Sequence, residues 1–552
     1  MKKLENMLER QLNEEHAVNY PDFDNMWGRV EQATHAASLR IATTEAASPR
    51  RSRNWRRITV AASLSVLLAA APVYAAIQYD WGNLLSSRSG VKAALAQNLG
   101  QQLGQSVTKD GVTLTLHTAI VDENRTVILY SLDVGDRPDN ESWNVDGLSL
   151  KDTAGKKSDG NHNYQQWDAQ NQRYNGYFET DWTPQQDTAK ITLTADAVRA
   201  FSTLEQELPL DSGSSAVQSF SIRKDGINTL EVQPFSQNQD KLLLSSAVTF
   251  DEQETKEWAK PRIVAYAGGK QIEELSGGTF GKPGDNGEYT MQQYLEAKQI
   301  SPGQPTFKLQ YTKLERNLAG PWTFDLELSK KQMESGTIKT ALNVPLETGD
   351  TLNSIEKMVV TPTQIRLSVR TKADFYQLPY KKYYLEVNGK TLEGLFWGSS
   401  KEDPSLITLS FERPSDLVVD EQTPITFVGK YKVTTHSDDR TPVLLTNISQ
   451  QKQTVTKQIG GYPVVWTYYM QGDDLFVETE SVDPHFGGIN QTHIGLGKDR
   501  IIGKQVTANF DGDGNNKAID VYKNFQGNEA SIYTFYYSTD EPDKETRVQL
   551  QP

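Results

Sequence analysis

The feature that most constrains this chain is an uncharged stretch of twenty residues, 58–77, which directly follows an arginine-rich segment. At about 1.5 Å of rise per helical residue, such a stretch spans about 30 Å, the thickness of the hydrocarbon core of a bilayer. A buried core helix of this length rarely lacks charge altogether. The sequence therefore predicts one transmembrane helix over residues 58–77, although alanines, polar residues and a proline dilute its aliphatic side chains.

The residues on either side of the predicted helix indicate its orientation. Lysine and arginine are enriched on the cytoplasmic side of membrane helices, and tryptophan and tyrosine are enriched at the membrane interfaces. Residues 1–57 are therefore predicted to be cytoplasmic and residues 78–552 extracellular. The predicted flanking residues are Arg50, Arg51, Arg53, Arg56 and Arg57 before the helix and Tyr79 and Trp81 after it.

Two other interpretations of this region are weaker. Val73-Tyr74-Ala75 ends in the small-residue pattern that a signal peptidase accepts, but 49 residues precede the basic segment, whereas the basic region of a signal peptide is short. Nucleic-acid binding needs a concentrated cationic face, and this chain has a formal net charge of -14 with its basic run confined to residues 50–57. We therefore expect a membrane anchor and no direct contact with nucleic acid.

Two short amphipathic helices are predicted in the cytoplasmic segment. Apolar residues recur at helical spacing within residues 1–16, and a second stripe follows the break at Pro21. Isolated helices of this length are marginal in water, so their apolar stripes indicate a binding partner. A helical hairpin without a partner and a disordered tail are the alternatives. The predicted partner-binding residues are Leu4, Leu8, Leu12, Phe23, Trp27 and Val30.

After a short helical patch, the outer region has the alternating pattern of β-strands. In residues 112–133 two such strands flank a polar turn at 122–125, and Val112 is predicted to share a face with Val127 and Leu129. The same arrangement of strand, short break and strand begins again near residues 226, 355 and 462. The separation of these hairpins is close to the size of a β-sandwich domain, about 100 residues.

The predicted fold is therefore mainly β, with tandem immunoglobulin-like β-sandwich domains outside, one transmembrane helix and a short α-helical cytoplasmic segment. The predicted segments are 1–57 (cytoplasmic helices and basic linker), 58–77 (transmembrane helix), 78–218 (first β-domain with its leading helical patch), 219–345 (second β-sandwich), 346–440 (third β-sandwich) and 441–552 (fourth β-domain).

These features together resemble a known family. The helix containing Trp27, the arginine flank, the single weak span and the strands of residues 110–134 are similar to bacterial membrane proteins that carry domain-of-unknown-function family 4179. The resemblance is clearest over residues 20–135, and residues 219–345 resemble an uncharacterised β-domain that often follows. Such proteins are commonly described as anti-sigma factors of Gram-positive spore formers. The resemblance therefore implies a sigma factor as the cytoplasmic partner.

One feature departs from many anti-sigma factors, which carry a zinc-binding motif of histidine and cysteine in the cytoplasmic domain. This segment has only His16 and His35, and the whole chain has no cysteine. Binding of a sigma factor would therefore rest on the two helices alone. The absence of cysteine also excludes disulfides and thiolate metal sites, which for a chain exported from the cytoplasm suits a Gram-positive surface.

No motif predicts catalysis, and we expect no enzymatic activity. The one candidate metal loop has Asp511, Asp513 and Asn515 alternating as the first three ligands of a calcium loop do. The pattern then fails, because Asn516 replaces the required glycine and Tyr522 replaces the bidentate glutamate. An ordinary β-turn is the favoured alternative. Apart from this weak calcium candidate, no cofactor is expected.

Aromatic residues are concentrated in the last β-domain, where they could stack on glycan rings or pack in the core. Packing is favoured, because strands select aromatic residues for packing alone. These residues are Tyr462, Trp466, Tyr468, Tyr469, Tyr533, Phe535, Tyr536 and Tyr537. The expected function is a single-pass membrane regulator that sequesters a sigma factor and senses envelope conditions outside. The alternative is a surface-anchored binding or adhesion protein for cell-wall glycan or another extracellular ligand.

Overall fold

A computed structural model describes the β-rich part of the chain. The described residues are 81–237, 241–284, 287–300, 305–347, 353–371, 378–399, 403–437, 441–506 and 516–551. No helix within these ranges has the length and apolarity needed to cross a bilayer. The predicted transmembrane helix at 58–77 and the predicted cytoplasmic helices lie outside them.

Helices are few and short in the described ranges. Helix α2 is alanine-rich, which favours a helix, and it is the longest of them. The α-helices are α1 (Trp81–Leu84), α2 (Ser89–Ala96), α3 (Thr255–Trp258) and α4 (Ala297–Ile300), and two 3₁₀ turns span Lys331–Gly336 and Gly497–Asp499.

Strands account for most of the structure, and they divide into two halves of the chain. The strands of the first half are β1 (Gln101–Lys109), β2 (Val112–Val121), β3 (Thr126–Asp133), β4 (Glu141–Asp146), β5 (Ser149–Asp152), β6 (Lys157–Asp159), β7 (His162–Asp168), β8 (Arg173–Thr180), β9 (Thr188–Leu208), β10 (Gln218–Lys224), β11 (Ile227–Gln237), β12 (Lys241–Phe250), β13 (Arg262–Ala267), β14 (Lys270–Gln271), β15 (Glu274–Pro283), β16 (Tyr289–Glu296) and β17 (Thr306–Ser329).

The strands of the second half are β18 (Ile338–Pro345), β19 (Asn353–Val360), β20 (Gln364–Thr371), β21 (Tyr380–Val387), β22 (Lys390–Ser399), β23 (Leu406–Glu412), β24 (Ile425–Ser437), β25 (Val443–Thr446), β26 (Gln453–Ile459), β27 (Tyr462–Gln471), β28 (Asp474–Glu480), β29 (Phe486–Ile494), β30 (Ile501–Ile502), β31 (Lys504–Gln505), β32 (Ala518–Tyr522) and β33 (Glu529–Gln551).

One five-strand arrangement occurs four times. The orders are β1-β2-β3-β8-β7, β10-β11-β12-β16-β15, β18-β19-β20-β23-β22 and β26-β27-β28-β32-β31. In each, the second and third strands form one of the antiparallel hairpins predicted from the alternating pattern. The four predicted hairpins and the mainly β fold are therefore confirmed.

Each half of the chain completes its sandwiches with one further set of strands that includes two long ones. In the first half β9 and β17 pair along almost their whole length, and in the second half β24 pairs along its length with residues 536–551 of β33. A strand of 21 residues such as β9 spans about 70 Å, which exceeds the length of one sandwich. Each long pair therefore runs through two successive sandwiches.

The hydrophobic cores show how the long strands are shared. Leu193 of β9 and Leu326 of β17 pack in the first core, whereas Leu208 and Leu309 of the same strands pack in the second. In the second half, Leu550 of β33 packs in the third core and Ile532 of the same strand in the fourth. We call these units the first to fourth sandwiches. The predicted domain boundaries at residues 218, 345 and 440 stay predictions. The first core contains residues from both sides of residue 218.

The predicted facing of the first hairpin is wrong in one respect. The core that contains Val112 also contains Ile128, whereas Val127 and Leu129 pack on the opposite face against helices α1 and α2. Strand β3 is buried on both faces because these helices cover its outer side. A strand buried on both faces loses the alternation that would reveal its orientation.

Candidate functional site

The turn at residues 122–125 begins the site that we consider functional. The Asp122 side chain accepts hydrogen bonds from the backbone N–H groups of Asn124 at 2.8 Å and Arg125 at 3.0 Å. An aspartate that binds the backbone two and three residues ahead fixes a tight turn. The turn therefore holds Arg125 at the end of the β2–β3 hairpin, with its side chain completely buried.

Arg125 joins the first sandwich to the third. Its guanidinium donates to Glu179 of β8 at 2.7 Å, and to both carboxylate oxygens of Glu412 at 2.6 and 3.1 Å. It also donates to the hydroxyl of Thr363 at 3.1 Å. Thr363 lies in the turn between β19 and β20, which occupies in the third sandwich the place that 122–125 occupies in the first. Equivalent turns of two repeats therefore meet.

Helix α2 completes this contact from the side. Arg88, just before the helix, donates to Glu179 at 2.7 Å, and the backbone N–H of Gly90 donates to Glu412 at 3.2 Å. The Thr363 hydroxyl in turn donates to Asp122. We call Arg88, Asp122, Arg125, Glu179, Thr363 and Glu412 the polar junction. It combines two cations with three carboxylates in a site that is largely closed to water.

The charged partners at the polar junction stabilise one another's ionised forms. Burial alone would raise the pKa of Glu179, but Arg125 and Arg88 outweigh burial and hold that pKa below its usual range. Burial alone would lower the pKa of Arg125, but Glu412 and Glu179 outweigh it and raise that pKa. Both groups are therefore charged at neutral pH, and each offsets the cost of burying the other's charge.

Close packing at Gly90 gives a first prediction. A Cβ atom on this residue would lie 1.7 Å from the Thr363 carbonyl oxygen, so the third sandwich or the helix must move. In an exposed helix interior, alanine is about 1 kcal/mol more favourable than glycine. Here we expect Gly90→Ala to destabilise the protein instead, by about 1–3 kcal/mol, because overpacking dominates. The measurement is the thermal unfolding midpoint of the full-length chain.

The matched control for Gly90→Ala is Lys92→Ala in the same helix. Lys92 is exposed, so its replacement tests helix propensity without adding an atom to the junction. We expect an unfolding midpoint close to that of the parent. A Gly90→Ala protein as stable as the Lys92→Ala protein would contradict the close approach.

A second contact joins the second and fourth sandwiches, and it is apolar. The Phe235 and Phe476 rings lie 6.4 Å apart between centroids, and Phe476 stacks on Tyr469 at 5.4 Å. Gln471 adds a polar contact by donating to the Ser215 carbonyl at 3.1 Å. We call the buried set Phe235, Leu243, Tyr294, Tyr469, Phe476, Ile519 and Val521 the apolar junction. The two halves of the chain therefore meet at two places of different chemistry.

One further buried carboxyl lies inside the fourth sandwich. Asp520 accepts hydrogen bonds from the Thr492 backbone N–H at 2.7 Å and the Thr492 hydroxyl at 2.6 Å, which links β32 to β29. Asp520 is 3% exposed, and no cation pairs with it in the described part of the chain. Burial raises the pKa of Asp520 to about 7, although the Thr492 bonds oppose the change.

The polar junction has the chemistry of an attachment between sandwiches. Its carboxylates are occupied by arginine, threonine and backbone donors. Across the described ranges, no group of three or more histidine, aspartate or glutamate residues could hold a metal ion. Asp511, Asp513 and Asn515, the predicted calcium residues, lie outside those ranges.

Most of the other predicted site residues also lie outside the described ranges. They are Leu4, Leu8, Leu12, Phe23, Trp27, Val30, Arg50, Arg51, Arg53, Arg56, Arg57 and Tyr79. Trp81 is described: it is 6% exposed, packs with Leu84 and Val127, and its ring lies 6.0 Å from that of His117. Trp81 therefore packs in a core, and its place at the membrane flank stays a prediction.

The aromatic residues of the last β-domain divide between the core and partly buried positions. Trp466, Tyr468 and Tyr469 are buried, Tyr469 in the apolar junction. The partly buried members are Tyr462, Tyr533, Phe535, Tyr536 and Tyr537. Their packing matches the interpretation that strands select aromatic residues for burial.

Sequence reasoning singled out the 122–125 turn but missed every partner that it binds. Glu179, Thr363 and Glu412 are 54, 238 and 287 residues from Arg125 along the chain. Such separations leave no local pattern to detect. One signal was available in the sequence. Arg125 lies in a hairpin turn, and the strands next to the turn supply no acidic residue close to it in sequence.

Comparison with known proteins gives one family match. Residues 50–133 match the family model described as "Domain of unknown function (DUF4179)", which confirms the resemblance over that part of the chain. A crystal structure of a conserved domain protein from Bacillus anthracis aligns over 57% of this chain and 90% of that one, with 12% identity. Its TM-score of 0.17 is too low to support any argument. No curated protein matches the chain.

Proposed function

We propose that this chain is a single-pass membrane regulator that binds a sigma factor in the cytoplasm and senses envelope conditions outside. The observation that supports this most is the extent of the family match. It runs without a break from the arginine flank, through the uncharged stretch at 58–77, to the first hairpin of the β-region. The arginine flank, the uncharged stretch and the first hairpin therefore lie within one family model.

In this proposal residues 58–77 span the membrane, and the sandwiches, with an immunoglobulin-like arrangement, lie outside. Only three residues separate Ile77 from Trp81, which is packed in the first sandwich. The fully extended length of chain from Ile77 to Trp81 is about 14 Å at most. In this proposal, movement of the first sandwich carries the signal to the predicted anchor.

Inside the cell, the apolar stripes of the two predicted helices would hold the sigma factor. The first stripe contains Leu4, Leu8 and Leu12, and the second contains Phe23, Trp27 and Val30. An amphipathic helix binds by laying such a stripe into an apolar groove of its partner. Contact of this kind would cover surfaces through which the sigma factor binds RNA polymerase.

The test is recovery of partners on the full-length chain from the native bacterium, with and without charge on the stripes. We expect a sigma factor to be recovered with the parent, and Leu8→Glu and Trp27→Glu each to reduce its recovery at least about tenfold, which corresponds to about 1.4 kcal/mol of binding free energy. Asn13→Glu and Gln32→Glu add the same charge on the faces opposite the stripes and serve as controls.

Two outcomes of this pull-down would contradict the proposal. Equal recovery with the parent and with both stripe variants would contradict binding by the helices. If no transcription factor is recovered with the parent, the regulator proposal fails, and the surface-anchored binding or adhesion function becomes the better account.

A further inference from the structure

A pocket of about 310 Å³ opens on the first sandwich, where helix α1 meets strands β7 and β8. Its size lies at the lower end of the range typical of small-ligand sites. Side-chain amides dominate its lining, which contains one carboxylate, Asp168, and no lysine, arginine or histidine among the described residues. The lining amides are Asn83, Gln166, Gln170, Asn171 and Asn175.

Asp168 organises this pocket and is itself fully occupied. One carboxylate oxygen accepts from the backbone N–H groups of Gln170 and Asn171, each at 3.1 Å. The other accepts from the side-chain amides of Asn171 at 2.7 Å and Asn175 at 3.0 Å. Burial opposes ionisation of Asp168, but these hydrogen bonds outweigh it and hold its pKa below the usual range.

The occupied carboxylate determines which way two of the amides point. A carboxylate only accepts hydrogen bonds, so the Nδ2 groups of Asn171 and Asn175 must face Asp168. Their Oδ1 atoms are therefore directed away from it. The Asn175 Oδ1 is buried and has no hydrogen-bond partner in the described part of the chain, and Asn175 itself is 6% exposed. The exposed amides of the lining are therefore the groups that a ligand in the pocket can reach.

The chemistry of the lining excludes two classes of ligand. Anions would find no cation in the lining and one ionised carboxylate instead. Hard metal ions need free carboxylate oxygens, and both oxygens of Asp168 already accept two hydrogen bonds each. Hydroxyl groups fit, since a hydroxyl both donates to an amide oxygen and accepts from an amide N–H.

We propose that this amide pocket binds a neutral saccharide. The exposed lining amides of Asn83, Gln166, Gln170 and Asn171 offer both donors and acceptors to ring hydroxyls. This site is distinct from the aromatic residues of the fourth sandwich, and it requires neither a sigma factor nor the cytoplasmic helices. It would place an extracellular ligand beside α1, the first element after the predicted anchor.

The test is calorimetric titration of the full-length chain with chitotetraose, cellotetraose and maltotetraose in a detergent without a sugar headgroup. We expect saturable binding of at least one of these neutral oligosaccharides. Gln166→Ala and Asn171→Ala should each weaken it about tenfold, the effect of losing about 1.4 kcal/mol. Gln166 is an exposed strand residue, so its replacement leaves the Asp168 hydrogen bonds intact.

The matched control is Gln172→Ala, in the same β7–β8 turn but outside the lining. The Gln172→Ala protein should bind the oligosaccharide as tightly as the parent. Weaker binding by the lining variants would then reflect a lost ligand contact and not a disturbed turn. No saturable binding of any of the three oligosaccharides would overturn the proposal. Binding that Gln166→Ala and Asn171→Ala leave unchanged would overturn it as well.

Discussion

Replacing Arg125 by methionine is expected to weaken the polar junction by about 3–5 kcal/mol. The substitution keeps most of the side-chain volume but leaves Glu179 without one of its two cations and Glu412 without its bidentate partner. Glu179 has no exposed side-chain surface, so its charge cannot be solvated without opening the contact. Hydrogen exchange of residues 122–125 and 361–364 should report this opening directly.

The matched control for this prediction is Arg370→Met. Arg370 also binds two carboxylates, Glu356 and Asp403, but all three are in contact with solvent, so water can replace the lost partner. We expect a much smaller effect and no change in exchange at 122–125. If the backbone amides of both turns exchanged no faster in the Arg125→Met protein than in the parent, the guanidinium would not hold the two sandwiches together.

Asp520 is expected to make the fourth sandwich less stable as the pH rises. Its pKa is about 7 in the folded protein and about 3.9 in an unfolded chain, so between these values only the folded state binds the proton. The protonated Asp520 carboxyl therefore contributes its full stabilisation below about pH 4. This contribution, about 4 kcal/mol in total, is lost progressively as the pH rises to about 7. Asp520→Asn cannot ionise, so its stability should stay level over this range.

The measurement is hydrogen exchange of β29 and β32 at several pH values between 4 and 8, about the interval of the expected change. Glu478→Gln is the control of opposite sign. Burial opposes ionisation of Glu478, but Lys517 and Lys452 outweigh it and lower its pKa, so the parent gains stability from this group as pH rises. Parallel pH profiles for Asp520→Asn and the parent would refute the assignment.

The alternating pattern predicted the hairpins because most of their strands have one face in a core. Strand β2 alternates between buried and half-buried positions, and the sequence places Val112, Leu114 and Leu116 on one face correctly. The prediction failed for Val127 and Leu129, where helices cover the second face. The sharing of β9 and β17 by two sandwiches could not be predicted, because pairing between Phe201 and Leu314 has no local signature.

The candidate site was predictable only at its turn. Asp122, Asn124 and Arg125 have the composition of a tight turn, which the structure confirms through the Asp122 hydrogen bonds. The burial of Arg125 follows from docking with a distant repeat, and composition at the turn contains no information about that docking. The amide pocket was missed for the same reason, since α1 and Asn175 are about 90 residues apart.

The polar and apolar junctions together make the attachment of the two halves bivalent. When one contact opens, the other still holds its surfaces at an effective concentration in the millimolar range, so closure is fast and local. Complete separation requires both contacts to open at once, and its probability is close to the product of two small numbers. A signal that acts on either contact alone would therefore loosen the outer region reversibly without taking it apart.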